Sequence, residues 1–230
     1  GVLTAIAPEH LEFFGDLDAV AHEESSVITS LPHGSTAVVN ADDALAQRFV
    51  PNIRQRIIPY GWGEAATVKA EQLDLTHNDR GLPTGQIIKI SVAGNVVPIG
   101  LPGVIGRHQA YPIMAALAVC QALDIPLADA VKGLQHYAPP PGRMRVLDGI
   151  EGSVLIDDSY NASPHAMAAA LETLATLDNP GRKIAVLGQM SELGSAAVYW
   201  HGWVGERVPT SLARLITIGP LAEHIGLAAS

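Results

Sequence analysis

The stretch that decides the fold of the second half of the chain is Val154-Leu155-Ile156-Asp157-Asp158-Ser159-Tyr160-Asn161-Ala162-Ser163-Pro164. Its first three residues are apolar and predict a strand, whereas Ser163 and Pro164 are typical of the N-cap and the first position of a helix. Helix capping accounts for those two residues but not for the polar residues 157–161. Because ligands of open parallel sheets bind at the carboxyl ends of strands, this loop is a candidate functional site.

Two more strands follow this stretch and alternate with helices. Apolar runs predict strands at 183–187 and 215–218, and helical spacing covers 164–177 and about 198–208. This order predicts a βαβαβ unit with a right-handed parallel sheet. The loop Gly188–Gly194 after the second strand is a further candidate site, with a flexible surface loop as the alternative.

The first half of the chain predicts a second α/β arrangement. Its predicted elements are, in chain order, a strand at 1–7, a helix at 16–31, a strand at 36–40 followed by a helical segment, a β-rich region at 56–99, and helices at 106–123 and 127–134. The turns within the β-rich region indicate a small antiparallel meander. The fold class is therefore α/β.

The best domain boundary is Pro139-Pro140-Pro141-Gly142. Three prolines in a row fix φ and form a stiff connector that neither a helix nor a central strand tolerates. We therefore predict a first domain at 1–141 and a second at 142–230. A chain that begins inside a strand and stops at the start of a helix predicts that both domains are incomplete.

Composition excludes several classes of protein. Of the 230 residues, 48% are hydrophobic and 16% are charged, which excludes a disordered chain. The net charge of −9 argues against non-specific binding of nucleic acid or an anionic membrane. The longest apolar run, 113–123, is far shorter than the roughly 20 residues of a membrane span. A single cysteine, Cys120, excludes an internal disulfide and favours a cytoplasmic location.

Several common catalytic motifs are missing from the printed sequence. No lysine lies in a Gly-x-x-x-x-Gly-Lys-Ser/Thr phosphate loop, and neither Gly-x-Gly-x-x-Gly nor Gly-x-Ser-x-Gly occurs. His22-Glu23-Glu24-Ser25-Ser26 begins like a zinc-protease helix but has serine in place of the second histidine. Zinc hydrolase and serine hydrolase functions are thereby excluded.

Two other loops carry residue types suited to phosphate chemistry. Pro8-Glu9-His10-Leu11-Glu12 offers an imidazole and two carboxylates, a combination that suits a divalent cation. The alternative is a solvated helix start whose acids favour the helix dipole. Arg143, just after the triple proline, presents a guanidinium that can bind phosphate through two hydrogen bonds, with a surface ion pair as the alternative.

Taken in order, the motifs resemble the Mur ligase family, and within it the type that adds D-alanyl-D-alanine to UDP-N-acetylmuramoyl-tripeptide. Five stretches carry the resemblance, namely Thr4–Gly15, Pro102–His108, Pro141–Met144, Asp157–Pro164, and Gly188–Gly194 with His201 and Gly205. They span almost the whole chain. The resemblance implies part of a central ATP-binding domain with the β meander, followed by a Rossmann-like C-terminal domain.

The same resemblance implies an activity and a set of site residues. The family uses ATP to phosphorylate a carboxylate, and the amine of the incoming residue then attacks the acyl phosphate. His10 matches a histidine that binds magnesium, Arg143 matches an arginine that contacts the nucleotide, and Asp158 matches an aspartate that holds the ribose. His108 and Gln109 match a pair that faces the adenine. The residues implied near the incoming dipeptide are Ser159, Tyr160, Asn161, Ser191 and Glu192.

Four positions depart from the family pattern. Glu24 stands where members carry a carbamylated lysine, which makes it a candidate magnesium ligand and catalytic residue beside His10. Gln109 replaces an asparagine, and Tyr111-Pro112 replaces small and polar residues. The phosphate loop and the UDP-sugar domain of the family would precede Gly1, so we expect the chain to be an inactive fragment on its own.

Alternatives to the ligase remain at this point. One is a non-catalytic Mur-like module that binds a nucleotide or a partner; another is an amide ligase of the folylpolyglutamate type. The ligase hypothesis implies ATP and Mg²⁺ as cofactors, UDP-N-acetylmuramoyl-peptide and D-Ala-D-Ala as substrates in peptidoglycan synthesis, and a cytoplasmic monomer without nucleic acid.

Overall fold

The computed structural model describes residues 1–138, 140–178 and 181–229, which form two compact units. Unit 1 contains residues 1–6, residues 21–77 and the segment that begins at Thr84. Unit 2 contains residues 7–20, residues 78–83 and the segment that begins at Pro140. Pro139, the first residue of the predicted boundary, lies outside the described residues, and the division into domains at Pro141 stays a prediction.

Unit 1 is built on a six-stranded sheet in which sequence neighbours are also spatial neighbours. Its strands are β1 (Val2–Leu3), β2 (Thr36–Asn40), β3 (Arg56–Gly61), β4 (Val68–His77), β5 (Pro83–Val92) and β6 (Asn95–Pro102). β1 to β4 run parallel, and β5 pairs antiparallel with β6. Ala93 and Gly94, both with positive φ, make the two-residue turn between β5 and β6.

The antiparallel part of this sheet is smaller than the predicted meander over 56–99. β3 runs parallel to β2, with Thr36 opposite Arg56, and β4 runs parallel to β3. The crossover between β2 and β3 contains the short helix α3 (Ala44–Gln47), whose first turn is capped by the Asp43 carboxylate, and a 3₁₀ turn. Apolar runs predict that a strand exists but not the direction in which it runs. The crossover determines that β3 runs parallel to β2.

Helix α4 (Ala110–Ala122) provides much of the core of unit 1. It packs against β2, β3 and β4, and its residues Ile113, Met114 and Leu117 are buried. The helix is apolar on nearly all sides, as expected for a buried helix. α5 (Leu127–Leu134) follows it and contacts α4 and β6. The predicted helices at 106–123 and 127–134 are therefore confirmed, with a 3₁₀ turn at Arg107–Gln109 before α4.

The chain between β1 and β2 forms two helices. α1 (Leu11–Phe14) is a single turn in unit 2, and α2 (Leu17–Thr29) confirms the helix predicted at 16–31. The Asp16 carboxylate accepts a hydrogen bond from the backbone N–H of Ala19 at 2.8 Å and so caps the start of α2.

Unit 2 differs from the predicted three-stranded parallel sheet. Its elements are β7 (Arg145–Asp148), β8 (Val154–Asp157), α6 (Pro164–Thr176), β9 (Ile184–Gly188), α7 (Ala197–Gly205), β10 (Arg214–Ile218) and α8 (Glu223–Ala228). β9 and β10 pair in parallel as predicted, whereas β8 pairs antiparallel with β7, a strand that the sequence analysis missed. β7 has the weak pattern Arg-Val-Leu-Asp, and its partner lies only six residues further on, so the short hairpin forms locally.

Within the described ranges, no helix has the length and apolar character needed to cross a membrane.

Candidate functional site

The loop after β8 is held in shape by its own side chains. The carboxylate of Asp157 accepts hydrogen bonds from the hydroxyl of Ser159 at 2.6 Å and from its backbone N–H at 3.2 Å. These bonds favour the ionised carboxylate and lower the pKa of Asp157 below its usual range. Ser163 occupies the N-cap position and Pro164 the first turn of α6, although the Ser163 side chain makes no capping hydrogen bond. Asn161 is exposed.

The next residue, Asp158, connects this loop to the start of β7. Its Oδ1 accepts a hydrogen bond from the backbone N–H of Met144 at 3.0 Å. Burial raises the pKa of Asp158 above its usual range, against the lowering effect of the Met144 N–H and the Arg143 charge. A half-buried carboxylate with one oxygen bound to the backbone is suited to accept a further hydrogen bond from a ligand hydroxyl.

Arg143 lies directly against this loop. Its guanidinium carbon is 4.3 Å from the ring centroid of Tyr160, and the backbone N–H of Tyr160 donates to the carbonyl of Gly142 at 3.2 Å. Gly142 has φ +71, and a Cβ at this position would lie 2.7 Å from the Tyr160 nitrogen. Glycine is therefore required at 142, and the structure brings Arg143, Asp158 and Tyr160 together on one surface of unit 2.

The loop after β9 is fixed by a buried histidine. His201 on α7 is fully buried; its Nε2 accepts from the backbone N–H of Met190 at 2.9 Å, and its Nδ1 donates to the carbonyl of Ala197 at 2.7 Å. Met190 and Leu193 are buried, whereas Ser191 and Glu192 are exposed. The loop predicted as a candidate site is thus anchored at its apolar residues and presents its polar residues outward.

His10 contacts the same loop within unit 2. Its Nδ1 is hydrogen-bonded to the Glu192 carboxylate, and the backbone N–H of Glu12 donates to the carbonyl of Glu192 at 3.0 Å. Both His10 and Glu192 have positive φ, 58 and 61. Gly194 approaches so closely that an added Cβ would be 3.3 Å from the Cα of Glu12. His10 and Glu192, predicted separately from two motifs, are therefore brought together.

The remaining predicted residues lie in unit 1. Glu24 is exposed on α2, and His108 and Gln109 lie on the 3₁₀ turn before α4. The buried side chain of Gln86 fixes the start of this turn by two hydrogen bonds with the backbone of Gly106, at 3.0 and 2.9 Å. The assigned roles of Glu24, His108 and Gln109 stay predictions.

A polar network at the carboxyl ends of β2 and β3 escaped the sequence analysis. The Asp42 carboxylate accepts from the backbone N–H of Trp62 at 2.6 Å, from that of Gly63 at 2.9 Å and from the hydroxyl of Tyr111 at 2.9 Å. Burial and this hydrogen bond raise the pKa of Tyr111. Arg107 stacks over Trp62 at 3.8 Å, beside a cavity of about 490 Å³. The sequence signal for this network is the pair Asp42-Asp43, which follows the predicted strand at 36–40.

The described residues do not form a complete metal centre by themselves. Across residues 1–138, 140–178 and 181–229, no group of three or more His, Cys, Asp or Glu side chains is arranged to hold a metal ion. Magnesium takes oxygen ligands in near-octahedral geometry and is often bound through one or two carboxylates plus substrate phosphates. The residues around His10 therefore fit a magnesium ion only as partial ligands.

Comparison with known proteins gives the family. Residues 1–120 match the family described as "Mur ligase middle domain", and residues 142–230 match "Mur ligase, glutamate ligase domain". Among curated relatives, the UDP-N-acetylmuramoyl-tripeptide--D-alanyl-D-alanine ligase of Escherichia coli is 30% identical over 97% of this chain and 48% of its own length. The Bacillus subtilis enzyme of the same name is 28% identical over 97% and 47%. The chain thus spans about half the length of these relatives.

Solved structures agree with the sequence matches. MurF from Acinetobacter baumannii has a TM-score of 0.86 at 26% identity, covering 100% of this chain and 48% of that one. MurF ligase from Thermotoga maritima in complex with ADP has a TM-score of 0.81 at 27% identity, covering 97% and 50%. With both family matches placed along nearly its whole length, the chain belongs to the Mur ligase family.

Proposed function

We propose that this chain takes part in ATP-dependent amide bond formation, in which D-alanyl-D-alanine is joined to UDP-N-acetylmuramoyl-tripeptide during peptidoglycan precursor synthesis. The observation that carries the proposal is the cluster of Arg143, Asp158 and Tyr160. It unites two motifs that lie 15 residues or more apart and suits a nucleotide, because a guanidinium and a carboxylate bind phosphate and ribose hydroxyls respectively. The names of the relatives supply the substrates, and the ADP complex of one relative supports the nucleotide.

In the proposed reaction, the γ-phosphoryl group of ATP is transferred to the terminal carboxylate of the tripeptide, and ADP leaves. The amine of D-alanyl-D-alanine then attacks the acyl phosphate, the C–N bond forms, inorganic phosphate leaves and the amine gives up a proton. Arg143 binds the nucleotide by charge-assisted hydrogen bonds, and the Oδ2 of Asp158 accepts from a ribose hydroxyl while Oδ1 holds the Met144 N–H. The loop of Ser191 and Glu192 is assigned to the dipeptide.

Magnesium would offset charge on the phosphates of the bound nucleotide. His10 is the side chain of unit 2 that we assign to it, on the strength of the motif in which it lies. We place the reaction in the cytoplasm, in keeping with a single cysteine and the need for ATP.

The experiment is a calorimetric titration of the chain with ADP, repeated on Arg143→Gln. Hydrogen bonds to charged groups contribute about 1.5–3 kcal/mol, so we expect the substitution to weaken ADP binding by roughly 10-fold to 150-fold. Arg145→Gln, two residues away and at the start of β7, is the matched control and should change affinity less than threefold. Equal affinity of wild type and Arg143→Gln would contradict the assigned role of Arg143.

A second candidate function is a non-catalytic Mur-like module that binds a nucleotide or partner. Tyr111 favours it. This residue departs from the family pattern, and its hydroxyl donates a hydrogen bond to the Asp42 carboxylate within unit 1. Phosphate release from ATP that depends on both UDP-N-acetylmuramoyl-tripeptide and D-alanyl-D-alanine, measured on the protein immunoprecipitated from its native host, supports the ligase. ADP binding without such release supports the module.

A further inference from the structure

The stacking of Arg143 on Tyr160 carries an inference about how the nucleotide is recognised. We propose that Tyr160 is a positioning residue, whose ring holds the Arg143 guanidinium in the orientation that meets the nucleotide. This inference rests on the proposed role of Arg143. It reassigns Tyr160, which the sequence analysis placed near the incoming dipeptide.

The geometry of the pair is that of a cation–π contact. The guanidinium carbon lies 4.3 Å from the ring centroid, within the distance of about 6 Å at which the ring quadrupole attracts a cation. Tyr160 is 71% exposed, so its ring is an outward platform and not a core side chain. A long arginine side chain on a surface otherwise loses about 2 kcal/mol of rotamer entropy when a ligand fixes it. A ring that already restricts the guanidinium reduces that loss.

The backbone around Arg143 is fastened on both sides to the loop that carries Tyr160. Before Arg143, the carbonyl of Gly142 accepts from the Tyr160 N–H at 3.2 Å. After it, the Met144 N–H donates to Asp158 at 3.0 Å. Met144 itself is 1% exposed, so its side chain is an apolar anchor. The main chain of Arg143 is therefore fixed, and the contact with the Tyr160 ring determines where its long side chain lies.

The position of Gly142 shows that this close approach is built into the sequence. Its φ of +71 and its contact with the Tyr160 nitrogen leave no room for a Cβ, which would lie 3.0 Å from the Cβ of Tyr160. The glycine thus allows the chain on either side to come near enough for Arg143 and Tyr160 to stack.

Tyr160 contacts Arg143 through its ring and not through its hydroxyl. Among the described residues, no hydrogen bond is formed by the Tyr160 hydroxyl, whereas the ring face contacts Arg143. A residue that touches the dipeptide substrate through its hydroxyl would lose function on replacement by phenylalanine. A residue that positions Arg143 through its ring would not. Tyr160→Phe and Tyr160→Leu therefore separate the two roles.

The test measures two properties of the 230-residue chain and of both variants. The first is the ¹H–¹⁵N NMR signal of the Arg143 side-chain Nε–H, assigned by its loss in Arg143→Gln, which senses the ring current of Tyr160. The second is ADP affinity by calorimetry. We expect Tyr160→Leu to move the Nε–H signal and to weaken ADP binding by about twofold to fivefold, the range of an exposed cation–π contact. We expect Tyr160→Phe to resemble the wild type in both.

Two further variants make the result specific. In an Arg143→Gln background, Tyr160→Leu should have no additional effect on ADP affinity, because a positioning residue acts only through the side chain it positions. Tyr199→Leu, at a tyrosine that is 65% exposed and stacks on Trp200, is the matched control and should change neither readout.

Each other outcome has a defined meaning. If Tyr160→Leu keeps both the Nε–H signal and the ADP affinity of the wild type, or if Tyr160→Phe is as impaired as Tyr160→Leu, the positioning role is wrong while the proposed function stands. If Arg143→Gln binds ADP as tightly as the wild type, the proposed nucleotide role of Arg143 fails, and the inference fails with it.

Discussion

At the scale of single residues, Asp157 and Asp158 are adjacent in sequence but have opposite electrostatic environments. Asp157 is stabilised as a carboxylate by Ser159, which lowers its pKa, whereas burial raises the pKa of Asp158. A raised carboxyl pKa in the folded state means that the folded protein binds a proton more tightly than the unfolded chain, so ionisation of Asp158 opposes folding as the pH rises. A lowered pKa has the reverse effect.

This difference predicts opposite effects of two isosteric substitutions. Asp158→Asn keeps an oxygen for the Met144 N–H and removes the buried charge, so it should raise the free energy of unfolding at pH 7. The gain should shrink as the pH falls through the raised pKa of Asp158 and vanish below about pH 3.9, the ordinary aspartate value. Asp157→Asn should destabilise at pH 7, with a loss that fades only as the pH falls below about 3.9, through the lowered pKa of Asp157. Urea unfolding at pH 7 and pH 4 measures the effect at Asp158, and a further series below about pH 3 measures the effect at Asp157.

The same residues show what sequence reasoning reaches at this scale. The polar loop 157–161 was identified as a candidate site because capping explains only Ser163 and Pro164. Sequence reasoning does not identify the partners of this loop, because Met144 and Gly142 bind it through backbone atoms, which every residue carries. Only a glycine with positive φ, visible once the chain is folded, indicates the close approach at 142.

At the scale of elements, the sequence predicts that a strand or helix exists better than it predicts the direction in which a strand runs. The strand at 36–40 and the helices α4 and α5 follow from hydrophobic spacing alone. The parallel pairing of β3 depends on a crossover whose helix is only one turn long, and β7 carries two apolar residues. Short elements of this kind are set by tertiary pairing, which local patterns do not encode.

An element-scale prediction concerns the helix α7, which holds the loop after β9 through His201. Replacing His201 with alanine removes the acceptor for the Met190 N–H and leaves a cavity at a fully buried site. A buried unsatisfied donor costs about 1–3 kcal/mol, and a cavity adds to this, so we expect a loss of about 2–4 kcal/mol in the free energy of unfolding. Faster hydrogen exchange at the Met190 amide should accompany it.

His201→Phe is the informative control for that loss. It fills most of the space but still lacks an acceptor, so the Met190 amide should exchange as fast as in His201→Ala while part of the stability returns. Slow exchange at Met190 in both variants would show that the loop is held by the burial of Met190 and Leu193 and not by the histidine.

At the scale of the whole chain, the two-stranded sheet of β9 and β10 leaves an apolar face exposed. In the pair β9 and β10, Val186 is directly opposite Ile216, and these side chains are 58% and 41% exposed. Ile184 and Ile218 lie on the same face, at 46% and 59%. Parallel sheets in α/β proteins are normally covered on both faces, and exposed apolar patches bind other apolar groups.

This face predicts the behaviour of the chain in solution. The double substitution Val186→Thr and Ile216→Thr keeps β-branched side chains in both strands while adding hydroxyls to the exposed face. We therefore expect a marked drop in the fluorescence of the apolar dye ANS bound to the native chain, with the free energy of unfolding changed by less than about 1 kcal/mol, as for surface sites. Ala185→Thr, on the buried face of β9, is the matched control and should cost about 1–3 kcal/mol. Unchanged dye fluorescence in the double variant would contradict this prediction and would mean that the dye binds to another surface of the chain.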